Sequence, residues 1–156
     1  MQTKFLIPSH NDLKLISEAE KSFFGKEFGI NLIKNHLKNS GYAIIVITNG
    51  KFSGHMISSI SRLEADIITL LILPDFQRKG IGRKLMIHFA KYLINKGVKY
   101  ILLEVSVNNF QALEFYSSLG FNSVGLRPLY YKNDNVRSDA KVLKGNTEYI
   151  QNFKVK

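Results

Sequence analysis

Leu73-Pro74-Asp75-Phe76-Gln77-Arg78-Lys79-Gly80-Ile81-Gly82-Arg83 decides how this chain is read. Before it runs Ile67-Ile68-Thr69-Leu70-Leu71-Ile72-Leu73, a β-branched, apolar stretch that ends at Pro74 and reads as a strand. After it, Leu85, Met86, Phe89, Leu93 and Ile94 recur at spacings of three and four, which predicts a helix. A basic turn with glycines thus joins a strand to a helix. Unpaired N–H groups at a helix start, the positive end of its dipole and the close backbone approach that glycine permits together make an anion site. On these residues alone an ordinary strand-to-helix turn, with glycines for geometry and basic residues for solubility, is the alternative.

Reading outward, the helix stops near Lys96-Gly97, and Lys99 to Val107 forms another strand. The β-α-β unit implies a parallel pair with a right-handed crossover. Asn108-Asn109 opens a helix from Phe110 to Leu119, Gly120 closes it, and Phe121 to Leu129 is a strand, with Ser138 to Leu143 as a final one. Upstream, Phe5-Leu6-Ile7 is a short strand ended by Pro8, and Ser9 or Asn11 caps a helix through Leu13, Ile16, Ala19 and Phe23 that Gly25 breaks. Lys26 to Lys38 is helical, and Tyr42 to Thr48 and Lys51 to Ile60 flank Asn49-Gly50, the strongest short hairpin signal. Gly145 to Lys156 reads as a poorly tied basic tail. No linker or repeat divides residues 1–156, so one mixed α/β domain is expected.

The hydrophobic share of 45% against 22% charged residues is that of a globular chain. No apolar run approaches the roughly 18 residues of a membrane span, and no signal-peptide pattern is present. A soluble protein of the cytoplasm with no membrane partner is expected. The absence of cysteine removes disulfides, thiolate metal sites and a cysteine nucleophile. The formal charge of +10 favours anionic partners, but lysines are spread along the chain. Tyr130-Tyr131-Lys132 is the sole aromatic-basic interleaving, so nucleic-acid binding is not the expected role.

Glu104 stands alone in Ile101-Leu102-Leu103-Glu104-Val105-Ser106-Val107. A carboxylate in an apolar strand faces a cleft, where it suits a general base, or sits at an edge or in a structural ion pair. Tyr116 lies on the helix ending at Gly120, where a phenol can donate a proton to a leaving group or simply pack. Asn109 has an obvious role as a helix cap. His10, His36, His55 and His88 show no metal-ligand spacing, and no Gly-x-Ser-x-Gly elbow or Gly-Lys-Ser/Thr P-loop occurs.

Gln77-Arg78-Lys79-Gly80-Ile81-Gly82, followed by Leu103-Glu104-Val105, Asn109 and Phe115-Tyr116-Ser117-Ser118-Leu119-Gly120-Phe121, resembles the GNAT acetyltransferases and their Q/R-x-x-G-x-G/A signature. Tyr130-Tyr131 with Ser138-Asp139-Ala140 resembles the branch that acetylates protein N-termini, including RimI-type ribosomal-protein alanine acetyltransferases and archaeal Ard1-like enzymes. The resemblance implies a GNAT fold, a strongly bent mixed sheet of about six to seven strands with about four helices. It implies acetyl-CoA as cofactor, in a gap where the strand before the signature splays from the strand carrying Glu104. Backbone groups of Leu70, Leu71 and Ile72 then hold the pantetheine arm, and the amides of Arg78, Lys79, Gly80, Ile81, Gly82 and Arg83 hold the pyrophosphate. Asn109 touches the cofactor arm, Glu104 deprotonates the incoming ammonium, and Tyr116 protonates the departing thiolate. Tyr130 and Tyr131 help wall the acceptor site.

The acceptor implied is the α-amino group of a protein or peptide N-terminus, a ribosomal protein among the candidates, and the enzyme is a monomer or homodimer. Two alternatives stand beside it. One is an acetyltransferase of a small amine such as a polyamine, amino acid or aminoglycoside, whose pocket would need several acidic side chains. The other is a non-catalytic acyl-CoA-binding or RNA-associated module.

Overall fold

The structure is a computed structural model that describes residues 1–25, 29–133 and 136–153, with the side chains of 131–133 and 136–137 outside the description. In chain order the elements are β1 (Thr3–Leu6), α1 (Asp12–Phe24), α2 (Ile30–Lys38), β2 (Gly41–Thr48), β3 (Lys51–Ile60) and β4 (Glu64–Ile72). A single 3₁₀ turn at Pro74–Phe76 leads into α3 (Ile81–Asn95), β5 (Tyr100–Ser106), α4 (Phe110–Ser117), β6 (Asn122–Asn133), β7 (Val136–Asn146) and α5 (Thr147–Gln151). This is the mixed α/β architecture the sequence implied. None of the described helices is long and apolar enough to cross a membrane.

The chain forms two compact units, Met1–Ile60 with Ile68–Leu85, and Ser61–Ile67 with Met86–Lys156. In the first, β2 pairs antiparallel with both β1 and β3. The β2–β3 turn places Asn49 at φ 50 and Gly50 at φ 78, the left-handed pair that an Asn-Gly hairpin requires. Leu13 and Ile16 of α1 and Ile33 of α2 pack on Ala43, Ile45 and Ile57 of the two strands. Gly25 ends α1 with φ 66, as a glycine after a helix does. The cap differs from expectation: the Asn11 side chain makes no capping bond to the helix, and the Asp12 carboxylate instead accepts from the Ser9 N–H at 2.7 Å and its hydroxyl at 2.6 Å. The stretch expected to begin a helix at Lys26 starts at Ile30, and Lys26 to Phe28 lie outside the described residues.

In the second unit the strand order is β4-β5-β7-β6. Glu64 to Ile67 of β4 pair parallel with Tyr100 to Leu103, as the β-α-β pattern predicted. β7 pairs antiparallel with β5 and with β6. Side chains alternate along β5, so Ile101, Leu103 and Val105 are buried while Leu102, Glu104 and Ser106 share the other face. The expected loose tail is a correction. β7 runs on to Asn146, and α5 follows with Thr147 and Ile150 buried, because the Thr147 hydroxyl bonds the Val98 and Lys99 carbonyls at 3.0 Å and Ile150 supplies an apolar anchor.

Candidate active site

In the first unit the basic turn is held from within. Gln77 Nε2 donates to the Ile72 carbonyl at 2.7 Å, and Lys79 Nζ donates to the Asp75 carbonyl at 2.7 Å. Arg78 has φ 59 and Gly80 φ 74. The left-handed region costs an arginine roughly 1–2 kcal/mol, a strain that concentrates at functional sites. Arg78, Lys79 and Gly80 are exposed, and a Cβ on Gly80 would meet nothing within 4 Å. The next residue opens the 15-residue helix α3, whose first N–H groups lack helical partners. Open space, two positive side chains and a helix start fit an anionic cofactor. Leu70 is half-buried and Leu71 and Ile72 are buried, so their backbone rather than their side chains is what β4 can offer a ligand.

In the second unit Glu104 is engaged. Arg127 Nε lies 2.8 Å from Glu104 Oε1, with side-chain exposures of 58% and 20%. The same guanidinium sits 5.6 Å from the centre of the Tyr130 ring. The Tyr130 phenol donates to the Glu104 carboxylate, and that bond, with burial and the carboxylate charge, raises its pKa above the usual range while Arg127 pulls it down. An irregularity in the β6–β7 register produces this arrangement: between Arg127 and Tyr131 come Pro128, which has no N–H, and Leu129, at φ 54, whose N–H goes to Asp139 Oδ1 at 2.9 Å.

Asp66 registers opposite Leu102, on the face that carries Glu104. Its pKa is raised, first by desolvation and then by the charges of Glu64 and Glu104, with Arg127 opposing. Arg127 and Asp66 were not among the residues singled out in the sequence for chemistry, and Asp139 entered only through the motif Ser138-Asp139-Ala140. No local pattern marks Arg127 or Asp66. Arg127 comes into reach only because β7 stands between β5 and β6, placing Glu104 opposite Val142 and Val142 opposite Gly125.

Tyr116 is buried, with its ring edge-on to Phe115 at 5.0 Å and Phe121 at 5.4 Å. Asn109 caps α4, its Oδ1 accepting from the Ala112 N–H at 3.1 Å. Tyr130 is half exposed beside Glu104, and the side chain of Tyr131 lies outside the described residues. A depression of about 670 Å³ walled by Tyr100, Phe121, Lys144 and Tyr149 does not include Glu104 or Tyr116.

One unit thus carries a strand, a basic glycine turn and a helix start, and the other a strand-borne carboxylate hydrogen-bonded by a tyrosine. The chain belongs to the acetyltransferase (GNAT) family, whose sequence profile matches residues 12–121. It is 37% identical over 95 residues to the [ribosomal protein bS18]-alanine N-acetyltransferase of Escherichia coli K12, covering 61% of this chain and 64% of that protein. The match therefore spans a little under two thirds of that relative. The enzyme of the same name from Salmonella typhimurium is 31% identical over 126 residues, covering 80% of this chain and 78% of its own. Among solved structures, the ribosomal-protein-S18-alanine N-acetyltransferase from E. coli superposes with a TM-score of 0.84 at 26% identity, covering 94% of each chain.

Proposed function

We propose that this chain, acting as one catalytic domain in the cytoplasm, uses acetyl-CoA to acetylate the α-amino group of a protein or peptide N-terminus, a ribosomal protein being the favoured acceptor. The observation that carries the reading is Glu104 on the open face of β5, bonded by Tyr130 and Arg127. The relatives named for ribosomal-protein alanine acetylation support the choice of acceptor.

When bound, acetyl-CoA supplies an acetyl group activated as a thioester and, once that group has left, a thiolate that needs a proton. Leu70 to Ile72 offer backbone groups to the cofactor arm, and the turn from Arg78 to Arg83 offers N–H groups and positive charge to its phosphates. Asn109, which caps α4, is assigned to the cofactor arm by the family resemblance alone. Glu104 accepts a proton from the acceptor ammonium, because only the neutral amine is nucleophilic. Arg127, the more exposed member of the pair, yields its place on Glu104 to that ammonium. Tyr116 supplies a proton from its hydroxyl, and Tyr130 with Tyr131 walls the acceptor.

Acetylation of a small polyamine is less well supported. Such a site needs several uncompensated carboxylates, whereas Glu64 is paired with Lys144 Nζ at 2.8 Å. The test is acetyl transfer from acetyl-CoA to a panel of peptides with different first residues, alongside spermidine and free amino acids. Turnover of alanine-initiated ribosomal-protein peptides is expected; turnover of spermidine with none of any peptide would overturn the proposal.

A further inference from the structure

Three elements of the first unit meet at one buried carboxylate. Glu20 of α1 is 2% exposed and His55 of β3 is 0% exposed. Glu20 Oε1 accepts from the Thr69 hydroxyl of β4 at 2.6 Å and lies 2.6 Å from His55 Nε2. Two hydrogen bonds thus converge on one oxygen, while His55 Nδ1 has no partner among the described residues. Burying a carboxylate and an imidazole is costly compared with packing aliphatic side chains of the same size, as the neighbouring core does. In some proteins such a group fixes one conformation of the elements that meet at it.

The conformation it fixes is that of β4. Beyond Thr69, the Leu71 carbonyl lies so close to Gly54 that a Cβ there would approach it to 2.3 Å. The Ile72 carbonyl accepts from Gln77 Nε2 at 2.7 Å, and the Leu73 N–H donates to the Ser53 carbonyl at 2.9 Å. The strand is therefore tied at its far end through Ile72 and Leu73, and at its near end through the Thr69 side chain. Leu70 and Leu71 stand in the bracket between the two ties.

We propose that Glu20, held by His55, is a positioning residue that anchors Thr69 and so presets the backbone of Leu70 and Leu71 to receive the cofactor arm. The inference rests on the assignment of Leu70 to Ile72 to that arm. Glu20 and His55 touch neither cofactor nor acceptor in this scheme.

The test uses Thr69→Val, which keeps shape and removes the hydroxyl, and Thr69→Ser, which restores it. Thr69 is only half-buried, so both variants should fold. In Thr69→Val without cofactor, amide exchange at Leu70 and Leu71 should quicken by about tenfold while Ile44 to Val46 keep their protection. Its acetyl-CoA affinity, read by calorimetry, should fall about five- to tenfold, the worth of one hydrogen bond, with the KM for the acceptor unchanged. Thr69→Ser should restore both. Unchanged exchange and affinity in folded Thr69→Val, or a uniform loss of protection that includes β2, would overturn the inference while leaving the proposed function standing. Failure of the unmutated protein to bind acetyl-CoA would overturn the proposed function itself.

Discussion

Arg127 and Glu104 form an ion pair of 2.8 Å whose members lie on strands separated by β7. The candidate base is thus not an isolated carboxylate but one arm of a cluster in which Glu104 raises, and Arg127 lowers, the pKa of Tyr130 and of Asp66.

Glu104→Gln tests both chemistry and electrostatics. Turnover should fall on the order of 10²- to 10⁴-fold, the usual worth of general base catalysis. The amide also replaces the charge-assisted hydrogen bond that is the main cause of the raised Tyr130 pKa and removes the carboxylate charge that adds to it, so the phenol should titrate lower, nearer its ordinary range. Arg127→Gln should move it the other way, since the guanidinium favours the phenolate. Carbon-13 NMR of labelled tyrosine reads both shifts; no change of Tyr130 in either variant would mean that the cluster does not exist in solution.

Tyr116→Phe separates packing from proton donation. The ring keeps its edge contacts with Phe115 and Phe121, so the melting temperature should hold. Turnover should drop by about 10²-fold or more, with acetyl-CoA affinity nearly intact. A variant as active as the parent would leave Tyr116 a core residue only.

Two glycines should respond in opposite ways. Gly80→Val places a side chain in open space beside the basic turn and should weaken acetyl-CoA binding, with a backbone penalty of about 1–2 kcal/mol from the positive φ. Gly54→Ala forces β3 from the Leu71 carbonyl and should cost stability of about 1–3 kcal/mol, visible in denaturant unfolding. Calorimetry showing full acetyl-CoA affinity in folded Gly80→Val would contradict the assignment of the turn.

Asp66 makes a pH prediction. Its folded-state pKa is raised, so the folded protein holds that proton more tightly than the unfolded chain. The stabilisation is full below the unfolded value of 3.8 and is lost as pH rises through the folded value. Asp66→Asn should therefore flatten this part of the stability curve and leave the protein more stable near neutral pH. Denaturant midpoints at several pH values check it; a less stable Asp66→Asn at neutral pH would show that the carboxylate is needed ionised.

The sequence by itself determined the element order, the hairpin at Asn49-Gly50, the β-α-β unit and the family. Each rests on interactions between residues close along the chain, such as left-handed φ at a turn, periodic burial and N–H groups at a helix start. It also singled out Glu104, because a charge in an apolar strand is anomalous whatever surrounds it. Only the tertiary structure decided what Glu104 meets. Arg127 and Tyr130 reach it across β7 through an irregular register, and Glu20, His55 and Thr69 converge from α1, β3 and β4. The order of α5 likewise required the Val98 and Lys99 carbonyls that receive Thr147. These partners are distant in sequence and carry no local signature, since what joins them is strand pairing, and pairing is settled by the burial of whole faces.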